Sequence, residues 1–518
     1  EAVDWETHIW VNGRHIGTHQ GGYDPFAFDI TAALTTGGTQ EIVVAVWDPT
    51  DAGPQPRGKQ VRKPGGIFYT SVTGIWQTVW LEPVGASAIR EYVVTTDIDS
   101  GRVALMVTAD GLRAGDRVEA TLRTPLDSLV ARASAEPGQP VVLRVEMARL
   151  WSPEDPFLYG LELRLLRRDS VLDRVAGHVG MRKIAVGPDE RGVTRLLLNN
   201  HFVFQTGPLD QGYWPDGLYT APTDSAMISD LLALKAMGFN MLRKHVKVEP
   251  RTFYAACDRL GLLVWQDMPS ASIPLVTPES DRATDSAATR QFETELLRMV
   301  RTHQGYPSIV MWVPFNEGWG QYDSGRIAAL VRAADPTRLV NHASGWYERR
   351  AGDVVDRHNY PPPIPPRPER ARAAVQGEFG GLGLVVKGHT WREGGWGYDL
   401  FGSQEALAQR FEDFYVILDR ARKEQGLSAA VYTQTSDVET ENNGILTYDR
   451  AETKIPFYAV RLANRGYFAP RVVRGAPIFV DSVAVALTSP SPGAEIHYTL
   501  DGTTPRLFAP VYQRPFSL

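Results

Sequence analysis

Only one cysteine, Cys257, occurs in 518 residues, so no disulfide framework forms within the chain. It lies in the helical-looking stretch RTFYAACDRLG, where a buried structural thiol is the better reading than a nucleophile. This scarcity leaves the compartment open, because many secreted bacterial proteins also lack disulfides. No His/Cys cluster has ligand spacing, which gives no metal site. No apolar run is long enough to span a bilayer. No Lys/Arg block stands out and the formal charge is only −6, which argues against nucleic acid or a membrane surface and for a small or neutral partner. The opening EAVDWETHIWVNG has neither a start Met nor a signal peptide and reads as the interior of a domain, so upstream sequence is expected.

What is present is ordinary globular composition, 43% hydrophobic and 22% charged, at a length that implies several domains. Residues 1–84 alternate short β-rich runs with turns (THIWVNGRHIG, EIVVAVWD, GIWQTVWLEPV), as in a β-sandwich. A second β block, 85–187, looks like another small sandwich. From 188 to 471 apolar strands alternate with helical segments, which implies a parallel sheet covered by helices. Eight candidate strands can be counted: LLLNNHFVFQTG, NMLRKH, LLVWQDMP, IVMWVPFNE, LVNHASGW, DVVDRHNY, AAVQGEFGG and AAVYTQTSD. Eight is the number that closes a (β/α)8 TIM barrel, whose C-terminal strand ends carry the chemistry. The Pro-rich YPPPIPPRPER, between two of these strands, reads as a stiff loop over the mouth. Residues 472–518 return to short strands, with AEIHYTLDGTTP as a hairpin-like unit in a small β-domain that is expected to be incomplete.

Two strand-end carboxylates rank above the rest, Glu317 in VMWVPFNEGWG and Glu378 in AAVQGEFGG, which the strand count places across one barrel mouth. Facing carboxylates are what glycosidic bond cleavage needs, one protonated to assist the leaving oxygen and one ionised to attack the anomeric carbon. A random Glu is more often a solvated or salt-bridged rim residue, but both of these end apolar strands beside Gly and aromatics. Trp214, Trp319, Trp391, Trp396 and Tyr360 fall in loops on the same rim, where aromatic faces suit sugar rings. Asp210, Asp267, Asn316, His358 and Asn359 add short polar groups able to hydrogen-bond hydroxyls, although each alone could be a cap or turn residue. Arg243 and His245 are two apart on a strand and point the same way. If that way is inward, Arg243 holds a carboxylate ionised; a rim salt bridge is the alternative.

With these residues in view, the chain resembles glycoside hydrolase family 2, which includes β-galactosidases, β-glucuronidases and β-mannosidases. WVNGRHIGTHQGGYDPFAFDIT and TGIWQTVWLEPV look like its N-terminal jelly-roll domain, LWSPEDPFLYGLEL and VGMRKIAV like its immunoglobulin-like domain, and Asn316-Glu317 with QGEFGG like its barrel motifs. The resemblance implies that Glu317 is the acid/base and Glu378 the nucleophile of a retaining double displacement, that Asn316 contacts the 2-hydroxyl, and that Arg243 and Tyr360 orient the nucleophile. Glu317 is then expected to be kept protonated by burial and by the charge of Glu378. The resemblance implies no organic cofactor, although some relatives use Mg²⁺ or Na⁺, and it leaves a homo-oligomer open because some relatives complete their sites across subunits.

The chain departs from the family at Val313-Pro314-Phe315, where a pocket wall is expected to change. It also departs at Arg243-Lys244-His245, in place of Arg-x-x-His, and at Glu441-Asn442-Asn443, in place of the Asn-x-Lys that holds a uronic acid. SPGAEIHYTLDGTTP resembles the small C-terminal β-domain of chitobiases, which implies export from a bacterium. The reading that follows is an exo-β-glycosidase for a neutral sugar, β-galactosidase-like, acting on a pyranoside or a galactofuranoside. A β-mannosidase, a β-glucuronidase or a non-catalytic carbohydrate-binding protein on the same scaffold is the alternative.

Overall fold

The computed structural model describes residues 1–270, 281, 286–476, 478–491 and 493–518. Residues 271–280, 282–285, 477 and 492, within the stretches assigned above to the barrel and the last β-domain, lie outside the described residues. In the N-terminal region, Glu6–Val11 pairs antiparallel with both Arg14–Gln20 and Ile42–Trp47. The next region packs a four-stranded sheet on a three-stranded one. Its core follows from strict alternation: Val103, Leu105 and Val107 on one sheet meet Val118, Ala120, Leu122, Leu161, Leu163 and Leu165 on the other.

The centre of the molecule is an eight-stranded parallel sheet. Its strands are β1 Gln205–Asp210, β2 Met241–Lys244, β3 Leu263–Asp267, β4 Ile309–Val313, β5 Leu339–Val340, β6 Val354–Asn359, β7 Ala373–Gly380 and β8 Leu427–Thr433. The hydrogen-bonded order is β5-β4-β3-β2-β1-β8-β7-β6, so the barrel is nearly closed, with its seam between β5 and β6. A backbone bond from Asp353 N to Val340 O, 2.8 Å, crosses that seam. All eight counted segments supply a strand. The first needs correction: LLLNNHF does not enter the barrel but forms a hairpin, Thr194–Leu198 with His201–Phe202, and β1 begins only at Gln205. Asn199 and Asn200, both in the left-handed region, turn that hairpin. Its Leu196 and Leu198 cluster with Met241, Leu263, Val354 and Val375 of the barrel core.

Helices α1 Asp224–Ala236, α2 Arg251–Leu260, α3 Ser286–His303, α4 Ser324–Ala334, α5 Gln404–Arg420 and α6 Phe457–Asn464 cover the outside. Among the described residues no helix follows β5 or β6, and the Pro-rich segment after β6 is an irregular loop. No helix of the described residues is long and apolar enough to cross a membrane. The sandwich preceding the barrel is locked to its underside by Arg182, which is buried and donates to the carbonyls of Pro307, Thr337 and Ile309. At the C-terminus Arg471–Arg474, Ala484–Thr488 and Phe516–Ser517 form a three-stranded sheet. The hairpin-like unit is held from further along the chain, with Tyr498 N donating to Pro510 O and Tyr512 N to Ile496 O.

Candidate active site

β4 is buried along its whole length. Met311 and Val313 belong to the barrel interior, while Trp312 faces the helices and donates Nε1 to Asp335 at 3.0 Å. Past the strand the chain reverses sharply: Glu317 at φ +52° and Gly318 at φ +82° are both left-handed. The turn closes through Trp319 N to Asn316 O, 2.9 Å, and Glu317 N is held by the carbonyls of Ala343 and Ser344. A non-glycine residue in this region is strained and persists only where its surroundings fix it; here the result is a carboxylate aimed over the mouth. Pro314-Phe315 does not alter the pocket wall as expected. Phe315 is buried, stacks on Phe292 of α3 with ring centroids 5.3 Å apart, and packs edge-on against Tyr322, so that departure remodels the core behind the site.

Glu378, on β7, is almost wholly buried. Arg243 reaches it across the barrel: Nη1 donates to Glu378 Oε1 at 3.1 Å, Nη2 to Asn316 Oδ1 at 2.8 Å, and Nε and Nη2 grip both oxygens of Asp267. Burial alone would lower the guanidinium's pKa, but Asp267 and Glu378 outweigh it and hold Arg243 charged. The Tyr360 hydroxyl donates to Glu378 Oε2 at 2.5 Å and also touches Thr433. Burial would push Glu378 up, yet the charges of His358 and Arg243 and the Tyr360 hydrogen bond win, and the carboxyl lies below its ordinary value. Because Asn316 Oδ1 is taken by Arg243, its Nδ2 is left as a donor with no protein partner among the described residues.

His245 shares Asp267 with Arg243, Nδ1 lying 2.9 Å from Oδ2. Burial, with Lys59 nearby, drives its pKa well below the ordinary value, so the ring is neutral, Nδ1 donates to Asp267 and Nε2 is an acceptor. Lys244 alternates outward to Asp210 and Glu249.

His358 of β6 does not face the sugar space, as its grouping with hydroxyl-binding residues implied. It stands between the two carboxylates, Nδ1 lying 2.8 Å from Glu317 Oε1 and 3.5 Å from Glu378 Oε1. Nε2 meets Ser344 Oγ at 3.0 Å, and Ser344 in turn donates to Asp356 Oδ2 at 3.0 Å. Burial opposes the charged ring, but Glu378, Asp356 and Glu317 together raise its pKa to about 10. Glycines make the room: a Cβ on Gly345 would fall 2.3 Å from the His358 ring, and one on Gly377 2.1 Å from Asp356 Oδ2.

The pocket that these groups share is lined also by Trp319, Tyr398, Gln211, Thr433 and Glu441, and by Arg57, Lys59 and Phe68 from the N-terminal sandwich. Tyr360 stacks on Tyr398 at 4.1 Å, and Phe68 meets Trp319 edge-on at 5.3 Å. Several expected contacts lie elsewhere. Trp214 is in the core under Arg450, Trp391 packs on Tyr448, and Trp396 supports Tyr398 from behind. Asn359 braces the Pro-rich loop through Pro362 O, and Asp210 is neutralised by Lys244. Indoles on rim loops are large enough to be drawn into packing, which sequence position alone does not reveal. Glu317, His358 and Glu378 are the described residues grouped closely enough for a cation, their nearest donor atoms lying within 4.8 Å. Arg243, 3.1 Å from Glu378 Oε1, already supplies positive charge there.

Two β-sandwiches leading into a (β/α)8 barrel, with two carboxylates converging on its C-terminal rim, define a multidomain protein of glycoside-hydrolase architecture. The chain belongs to glycosyl hydrolases family 2: the family's sugar binding domain matches residues 1–72, a second domain of the family residues 87–182, and its TIM barrel domain residues 220–360. Residues 485–518 match a domain described as Fn3 associated. Among curated proteins, the β-glucuronidase of Rattus norvegicus is 28% identical over 65% of this chain and 54% of its own length. The β-galactosidase of Enterobacter cloacae is 27% identical over 80% of this chain and 43% of its own. The chain therefore spans about half the length of these relatives. Among solved structures, a β-glucuronidase of Ruminococcus gnavus superposes with TM-score 0.72 at 17% identity, over 90% of this chain and 84% of that one. A putative β-galactosidase of Bacteroides fragilis gives 0.71 at 20%, over 95% and 78%. These likenesses carry the fold.

Proposed function

We propose that the chain houses the catalytic centre of a retaining exo-β-glycosidase for terminal neutral sugars, with Glu378 as nucleophile and Glu317 as acid/base. The observation that carries this reading is the separation of the pair: carboxylate oxygens of Glu317 and Glu378 lie within 4.8 Å. That suits the roughly 5 Å of retaining enzymes rather than the 6.5–9.5 Å or so that admits a water between the groups. In the first step Glu378 attacks the anomeric carbon while the glycosidic oxygen leaves with the proton of Glu317. In the second, water gives a proton to Glu317, its oxygen attacks the same carbon, and Glu378 departs as a carboxylate. Asn316 Nδ2 and His245 Nε2 offer a donor and an acceptor to the sugar's hydroxyls.

Glu441 supports a neutral substrate. Its buried carboxylate lines the pocket, accepts from Tyr69 and Asn443, and would repel the carboxylate of a uronate. Arg57 and Lys59 line the same pocket and favour the second reading, a β-glucuronidase. A panel of aryl β-glycosides separates these: galactopyranoside, galactofuranoside, glucoside, mannoside and glucuronide. Highest kcat/KM on a neutral glycoside is expected, and preference for the glucuronide would overturn the substrate reading. Glu378→Gln should abolish turnover while sugar binding persists; a variant that still hydrolyses normally refutes the nucleophile assignment.

A further inference from the structure

We propose that His358 is a positioning residue that carries one fixed positive charge between the two carboxylates, serving Glu378 before the covalent intermediate forms and Glu317 after it. This rests on the double displacement proposed above.

The double displacement requires Glu378 to attack as the anion, as its lowered pKa favours, and Glu317 to carry the proton it delivers. The Nδ1–H of His358 points at Glu317 Oε1, 2.8 Å away. That oxygen can accept only through a lone pair, so the acid proton sits on Oε2, which has no protein partner among the described residues and is left for the glycosidic oxygen. When Glu378 becomes an ester its charge is gone, and Glu317, having given up its proton, is the anion. The pair together with His358 sums to zero before and after. The negative charge has moved from an oxygen 3.5 Å from Nδ1 to one 2.8 Å from it, while the imidazolium stays in place. Glu317 must then be an ionised base, and a charge-assisted hydrogen bond from a fixed cation stabilises that form.

The surroundings fix the cation. From its own strand Asp356 Oδ2 lies 3.6 Å from Nε2 and is tied to the ring through Ser344, from the loop after β5. Arg243 Nη1, from β2, lies 3.4 Å from Nε2 and is itself neutralised by Asp267 and Glu378. His245, a further titratable neighbour, is neutral, and the Asp267 carboxylate also acts on the His358 ring. The ring is fully buried, packed so closely on Gly345 that a Cβ there would fall 2.3 Å from it, and held by Glu317 at Nδ1 and Ser344 at Nε2, so it cannot follow the substrate as a hydroxyl-binding residue would.

The test is His358→Gln, assayed with the 2,4-dinitrophenyl glycoside of the sugar that the panel selects, whose leaving group needs little acid assistance. A pre-steady-state burst of one equivalent should persist. Steady-state kcat should fall roughly 10²-fold, at the low end of what positioned acid-base catalysis contributes, and KM should fall with it. Azide, which attacks without a base, should restore most of kcat, a response that a misfolded or misaligned site would not give. Loss of the burst with kcat/KM falling as much as kcat, or wild-type kinetics, overturns the proposal. If circular dichroism shows His358→Gln unfolded, Ser344→Ala, which cuts the link to Asp356, must show the same pattern more weakly, and its absence is equally contrary. Failure of wild-type enzyme to form any covalent intermediate would sink the double displacement itself, an outcome separate from failure of the His358 variant in an enzyme that does form one.

Discussion

Tyr360→Phe removes the hydroxyl that donates to Glu378, the proposed nucleophile, together with its contact to Thr433. The ring keeps its stack on Tyr398 at 4.1 Å, so the fold should be little disturbed. What Glu378 loses is the 2.5 Å bond to its Oε2, in a site where Arg243 and His358 remain. A hydrogen bond to a charged group is worth about 1.5–3 kcal/mol. Its loss should therefore raise the Glu378 carboxyl's pKa. The sign is set by which form the bond favours: the hydroxyl donates to the ionised carboxylate and helps hold Glu378 below its ordinary value against the opposing effect of burial. Its loss therefore moves the acidic limb of the kcat/KM profile to higher pH. In the second half-reaction charge returns to Glu378 as it leaves, so the same loss should slow deglycosylation by about 10- to 100-fold. Because Glu317 is untouched, azide should not rescue the variant. The assay is a pH–rate profile with an activated aryl glycoside, read beside the burst. An acidic limb that stays put or moves to lower pH, with kcat unchanged, refutes the role given to Tyr360.

Two further perturbations read other parts of the structure. Gly377→Ala places a methyl 2.1 Å from Asp356 Oδ2, and Asp356 cannot retreat without losing Gly377 N, Asn341 and Ser344. It should cost about 1–3 kcal/mol in thermal or urea unfolding and slow turnover in the same half-reaction as His358→Gln; wild-type stability and rate would contradict the packing described. Glu295 on α3 is buried against the N-terminal sandwich, accepting from Gln291 and Gly22, and burial pushes its pKa to about 8. The folded state thus holds a proton that the unfolded chain releases from about pH 4.5 upward. Stability should decline as pH rises toward 8 and level off above it, by an amount on the order of 1–3 kcal/mol. Glu295→Gln should flatten the Tm–pH profile and raise Tm at pH 8; a variant less stable at every pH would refute the assignment.

The barrel was legible because its strands are buried on both faces and read as continuous apolar runs, as residues 309–313 do. The error at β1 has the same origin. LLL looks like a barrel stave, but Leu196 and Leu198 bury themselves equally well as a hairpin under the barrel, and local hydrophobicity cannot tell the two apart. Glu317 and Glu378 were visible as polar ends of apolar strands. His358 was visible as a residue but not in its place, although period-2 spacing of Asp356, His358 and Tyr360 along and just beyond β6 carries the signal that all three turn toward the site. The contributions of Arg57, Lys59 and Phe68 could not be read, because they come from a different domain and no local pattern records which loop reaches the mouth. Trp214 and Trp391 were overvalued because a rim position was equated with exposure, whereas their rings pack against Arg450 and Tyr448.

The most direct measurement of the central claim is trapping. In the 2,4-dinitrophenyl 2-deoxy-2-fluoro glycoside of the preferred sugar, the fluorine slows both steps by destabilising their oxocarbenium-like transition states and removing the 2-hydroxyl contact, while the dinitrophenolate leaving group keeps the first step fast, so the glycosyl-enzyme accumulates. Intact-mass spectrometry should then show one fluoroglycosyl group per chain, and peptide mapping should place it on Glu378, with Glu378→Gln unlabelled. Inactivation without an adduct, or an adduct on Glu317 or any other carboxylate, would contradict the account.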